Sequence, residues 1–234
     1  MKFGGYVRKM DNLVSYTVPT NVFKLSESTW EDEVCNGTGK SVGAELSAAC
    51  TSDRFSGTLA YTLSKSTRRY SEINSGREFP FKFDRRHILN LQGKFIISRR
   101  ETRKGKSREH SLNANLTYSS GNRATVYASS YSGIVLPYRN QRSGSVSFPD
   151  EVEILNYNRY EMTDKNGWKM KDYFRIDCAY TIETQRSGRI SSWSFSVFNV
   201  LNRHNVYMVF NDKGQWKQVS IMPIMPSVRW CLKF

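Results

Sequence analysis

At 234 residues the chain is long enough for one domain with a sizeable core or for the wall of a barrel. Only 38% of its residues are hydrophobic and no apolar run approaches the roughly 18 residues of a spanning helix, which excludes a helical membrane protein; an aromatic share of 13% argues against disorder and for pleated structure. A formal charge of +14 suggests a polyanionic partner or, more simply, Lys and Arg solvated on loops and in a wet interior; without an RNA-binding signature, zinc-finger spacing or long basic helix, no nucleic-acid partner is expected.

In chain order, a first strand is predicted over 6–18, with its alternation slipping around Met10–Asn12. A long loop over about 19–38 precedes a strand over 41–48, in which Val42, Ala44, Leu46 and Ala48 alternate with other residues. After a short turn near 49–54, Phe55, Gly57, Leu59, Tyr61 and Leu63 alternate with Ser56, Thr58, Ala60, Thr62 and Ser64. A long loop over 69–83 leads to a strand over 87–97, then to an intermediate charged turn over 99–109. Leu112, Ala114, Leu116 and Tyr118 mark the next strand, and the longest loop, about 121–171, follows it. Phe174, Ile176, Cys178, Tyr180 and Ile182 then alternate with Arg175, Asp177, Ala179, Thr181 and Glu183. A short turn (185–191), a strand over 193–197 and a long loop (201–226) lead to Val228, Trp230, Leu232 and Phe234, alternating to the end.

That makes about eight strands, several near the 9–11 residues a tilted strand needs to cross a bilayer. Alternation alone also fits a soluble sheet with one wet face. The polar faces, rich in Ser, Thr, Asn and paired charges, and the alternation of short and long connections favour an antiparallel transmembrane β-barrel in the outer membrane, with short inner turns and long outer loops. Phe234 then ends on the inner rim. Tyr16, Tyr118 and Tyr173 fall at outer strand ends and Trp193 at an inner end, as interfacial girdles do.

Several stretches resemble the C-terminal third of TonB-dependent outer-membrane receptors, especially the large ones of Bacteroidota. They are Tyr61-Thr62-Leu63-Ser64-Lys65-Ser66, Ile73-Asn74-Ser75-Gly76 and Phe79-Pro80-Phe81-Lys82-Phe83-Asp84-Arg85-Arg86-His87; Tyr118-Ser119-Ser120-Gly121-Asn122; Asp172-Tyr173-Phe174-Arg175-Ile176-Asp177; and Phe198-Asn199-Val200-Leu201-Asn202-Arg203-His204-Asn205 with Pro223-Ile224-Met225-Pro226-Ser227. The resemblance implies a 22-strand barrel closed by an N-terminal plug and importing a large scarce nutrient, such as a siderophore, glycan or peptide, with energy from TonB. Residues 1–234 would be its C-terminal barrel segment, without the plug, the TonB box or a leader, and not competent for transport alone. Outer-membrane lipid, the barrel-assembly machinery and an extracellular nutrient are the implied partners, with the TonB complex reached only through the plug. By the same resemblance Trp230, Leu232 and Phe234 form the signal read by the assembly machinery. Two alternatives stand beside it: a self-contained eight-stranded barrel with a structural or adhesive role, and a soluble basic β-protein binding polyanions.

No enzyme is expected. Cys35, Cys50, Cys178 and Cys231 lie far apart and the chain has three His, so neither a metal site nor a cofactor is predicted. His87, His110 and His204 fall in different segments, and Asp84-Arg85-Arg86-His87 at a loop-to-strand junction suits a structural ion-pair network. Gly37-Thr38-Gly39-Lys40-Ser41 lacks the spacing and following helix of a phosphate loop. The basic stretch 99–108 is a solvated turn, with anionic headgroups of the inner leaflet as a further thought. Ligand-contacting candidates belong to the long outer loops: Trp30, Tyr127, Tyr131, Tyr138, Arg139, Tyr157 and Tyr160.

Overall fold

Alternation within single strands makes a two-faced sheet only if the strands pair in a register that keeps like positions together. In the computed structural model they do. It describes residues 1–16, 34–102, 105–133, 138–139, 146–147, 157–212 and 215–234. Eight long strands, β1 (Lys2–Tyr16), β2 (Val34–Thr51), β3 (Phe55–Tyr70), β4 (His87–Thr102), β5 (Lys106–Ser119), β6 (Tyr173–Arg186), β7 (Arg189–Phe198) and β8 (Met225–Lys233), form one antiparallel meander in chain order. No α-helix occurs among the described residues.

On one face a cross-strand row runs Phe3, Leu46, Tyr61, Leu89, Tyr118, Phe174. Six residues further along β4 a second row runs Phe55, Phe95, Leu112, Tyr180, Phe195, Val228. The opposite face carries Ser56, Lys94, Asn113, Ala179, Ser196, Ser227 in one row and Thr58, Gln92, Asn115, Asp177 in the next. Nothing covers the apolar face among the described residues: Val7 is 82% exposed and Trp230 56%. Each row crosses six strands, about 24 Å, and the rows lie about 20 Å apart along the strands, so they bound roughly 500 Å². That is at the upper end of the largest apolar patches of soluble monomers.

The expected slip near Met10 is a bulge between Met10 and Leu13, with Asn12 at φ 56°. A second bulge, between Ile96 and Ser98, was not expected. The charged stretch 99–109 is not an intermediate turn. Both strands continue through it in regular register, as far as Thr102 and from Lys106, with Arg99 directly opposite Glu109 and ion-paired to it. Strands elsewhere also outrun their predicted ends, so the connections at one end of the sheet shrink to 52–54, 103–105 and 187–188. The long connections gather at the other end. They include the ribbons Tyr127–Gly133 with Tyr157–Met162 and Met208–Asp212 with Gln215–Val219.

Eight strands do not close on themselves. Among the described residues β1 pairs only with β2 and β8 only with β7, leaving one edge of each unpaired. β8 pairs with β7 in a register that sets Trp230 directly opposite Trp193.

Candidate functional site

The polar face and the long-loop end that borders it hold the groups suited to a solute. A hollow of about 600 Å³ lies along the middle of the face and touches seven successive strands, from Ala49 on β2 to Ser227 on β8. Ser56, Thr58, Gln92, Asn113, Asn115 and Asp177 line it, a set of short donors and acceptors suited to a hydrated ligand. The nearby charges are mostly paired. Glu109 accepts from Lys94 and Arg99, both at 2.7 Å, and Asp177 accepts from Arg175 Nε at 3.0 Å. Arg175 also lies 4.2 Å from the ring centre of Phe198.

At the long-loop end, side-chain bonds fix the connections. β7 ends at Phe198, so nothing on that side continues the ladder past Cys178 of β6. The segment 199–205 takes over. Val200 N–H donates to the Ile176 carbonyl, and the Asn205 side-chain amide both accepts from Phe174 N–H and donates to its carbonyl. Asn199, fully buried at φ 53°, holds this segment in shape. Its Nδ2 donates to the Arg203 and Met222 carbonyls, its Oδ1 accepts from Arg203 N–H, and its own N–H donates to Asp177.

A second brace joins connections far apart in sequence. Asn74 exchanges two hydrogen bonds with the Lys165 backbone, while Lys165 Nζ donates to Ser15 Oγ and the Tyr16 carbonyl, both at 2.8 Å. Burial lowers the Lys165 pKa. Cys35, Tyr70, Ile73 and Phe79, with Leu13 against them, form a small apolar core beneath this brace. A third brace is Asp172, which accepts from Lys169, Gly121 N–H and Tyr118 and is held at a pKa of about 2 by the Lys169 ammonium first and the Gly121 N–H next. A methyl on Gly121 would overlap the Met170 carbonyl, so the two strand ends meet only over glycine.

The motif residues fall into these braces. Asp84, almost fully buried, accepts from Ser66 N–H at 2.7 Å and sits 3.9 Å from Arg86; Arg85 donates to Asn122. That is a structural network, as the junction suggested. His87 bonds Tyr61 and His110 bonds Tyr180, at 2.8 and 2.6 Å, one pair near each margin of the apolar rows. Residues 37–41, the phosphate-loop look-alike, lie inside β2.

Of the predicted ligand contacts, Trp30 lies outside the described residues. Tyr127, Tyr131, Tyr157 and Tyr160 fall on one ribbon, where Tyr131 is paired with Arg159 and Tyr160 with Ser130; Tyr138 and Arg139 pair with Ser147 and Val146. The side chains of these six lie outside the described residues. Trp230 and Leu232 share the apolar face of β8, and Phe234 follows the strand, 89% exposed with Arg189 5.6 Å from its ring centre. The roles of Asn199, Asn205, Asp172 and Lys165 were not foreseen; the signal for the first two is the repeated Asn between strand ends, a residue that tolerates positive φ and can replace backbone partners. Compared with known protein families, curated proteins and solved structures, the chain matches none.

Proposed function

We propose that the chain is part of the wall of an outer-membrane β-barrel of the TonB-dependent receptor kind, contributing the C-terminal strands to a protein that binds and imports a large nutrient. The observation that carries this reading is the two-faced meander. A register that sends aromatic and aliphatic side chains to one uncovered face and Ser, Thr, Asn and charges to the other suits lipid outside and water inside. Soluble monomers rarely leave such a face bare. The two unpaired edges call for further strands, because an open edge is not tolerated in hydrocarbon. The receptor assignment rests on the ordered motifs, and the braced long-loop end offers the rigid platform that loop-borne ligand binding uses. In this reading the short turns face the periplasm, and the apolar β8 with Phe234 is the element presented to the assembly machinery.

Two experiments test it. In bilayers containing brominated phosphatidylcholine, emission from Trp193 and Trp230 is quenched, and the quenching disappears in the doubly substituted Trp193→Phe, Trp230→Phe chain; unquenched emission would sink the membrane reading. Reading the DNA upstream of Met1 is expected to show further in-frame strands and a plug. An independent leader joined directly to Met1 would remove the receptor assignment.

A further inference from the structure

The hairpins β4–β5 and β6–β7 keep all their acidic residues on the polar face, with Lys94, Arg99 and Arg175 beside them, and their other cations on the apolar face. Acidic residues of β4 to β7 are Glu101, Glu109, Asp177 and Glu183, and register puts all four on the polar face. Arg100, Lys106, Arg108, Arg186 and Arg189 all lie on the apolar face, in the two rows just beyond His110 and Ile182 toward the short turns. Arg100 is directly opposite Arg108, Lys106 opposite Arg186, and Arg186 opposite Arg189. Like charges directly opposite weaken strand pairing. Among the described residues none of the five forms an ion pair, and four of them are exposed, Lys106 being half-buried.

We propose that this cationic patch is a docking surface for the phosphate headgroup of an anionic phospholipid, a proposal that rests on the lipid-facing reading of the apolar face. Four strands and two rows give a patch roughly 14 Å wide and 7 Å tall, the scale of one or two headgroups. Its level fits: it borders the apolar rows on the side of the short turns, where a headgroup layer would begin. Its neighbours fit as well. Trp193 and Trp230 stand next to it with ring centres 6.2 Å apart, Trp230 Nε1 donates to Ser191, and Arg189 lies against Phe234. Amphipathic rings beside cations are the usual composition of a membrane interface. Guanidinium groups bind phosphate oxygens bidentately, and four Arg with one Lys on one surface favour a headgroup of net negative charge over a zwitterionic one.

The full chain in phosphatidylcholine bilayers is given brominated phosphatidylglycerol in one arm and brominated phosphatidylcholine, at the same fraction, in the other. Excess quenching of Trp193 and Trp230 by the anionic lipid is expected. The substitution Arg108→Gln with Arg186→Gln should lower the relative affinity for that lipid about fivefold per cation removed, while quenching by the neutral lipid stays unchanged. Equal quenching by both lipids overturns the headgroup site and leaves the membrane reading intact. Loss of the excess on adding inorganic phosphate assigns the patch to free phosphate and overturns the lipid. Absence of quenching in both arms overturns the membrane reading and this proposal with it.

Discussion

The two ends of the sheet are built on different principles. At the short-turn end each hairpin closes locally: Gly105 N–H bonds the Thr102 carbonyl, and two residues join β6 to β7. At the long-loop end the chain is held by contacts distant in sequence, such as Asn74 to Lys165, 91 residues apart, and Lys165 to Ser15, 150 apart. Most buried polar groups follow the same division, with Thr67, Asp84, Ser119, Ser120 and Asn199 at the long-loop end and Ser111 within β5. Substitutions should therefore act through lost hydrogen bonds at one end and through backbone preference at the other.

The largest effect is expected at Asn199. Asn199→Ala removes the fully buried side chain that holds the Arg203 and Met222 carbonyls and the Arg203 N–H, and it forces a non-Asn residue to φ 53°. Together these should cost about 3–4 kcal/mol. Asn199→Gly, which accepts the backbone angle, should recover about 1 kcal/mol. Urea unfolding in detergent micelles measures both. If neither variant shifts the global transition, the long-loop end opens independently of the sheet, and the contrast between the two ends is one of local order only.

A smaller effect is expected at Asp172. Its folded pKa of about 2 lies below the ordinary 3.8, so the unfolded chain takes up a proton first as pH falls. The stabilisation is complete above about pH 4 and disappears as pH drops through 2. The full shift corresponds to about 2.5 kcal/mol, but the side chain is 33% exposed, and solvent screening reduces this to about 1 kcal/mol. Asp172→Asn should lose that amount at neutral pH and flatten the stability profile between pH 4 and 2. An unchanged acid limb would mean that Lys169 and Gly121 hold the loop without the charge.

The legibility of the sequence follows the same division. Period-two alternation with short connections specifies the meander and the face of each side chain, since a one-residue slip would invert a whole strand. Strand ends were less legible: the pattern in 99–108 is all charge, and only pairing of Arg100 with Arg108 and of Lys106 with Arg186 shows that the ladder continues. Closure could not be read at all, because strand count says nothing about whether first and last edges meet. Lys165 stayed hidden for another reason. Its partners, Asn74, Ser15 and Tyr16, lie far away in the sequence, and one chain carries no signal for a contact 150 residues away.

The smallest effect belongs to the turn between β6 and β7. Ser187 and Gly188 sit at φ 48° and 81°, so both central residues are left-handed, as in a type I′ hairpin. Gly188 takes that conformation without cost, whereas Ser187 does so against its preference. Ser187 is exposed and makes no hydrogen bond among the described residues, so its side chain contributes no compensating contact. Asn is the residue that type I′ turns favour at this position. Ser187→Asn should therefore stabilise the chain by about 0.5 kcal/mol, and Ser187→Val, β-branched at positive φ, should cost about 1 kcal/mol. The urea midpoint reads both. If Asn is neutral, the hairpin is held by its ladder rather than by its turn, and the short-turn end would then resemble the other end more closely than its geometry suggests.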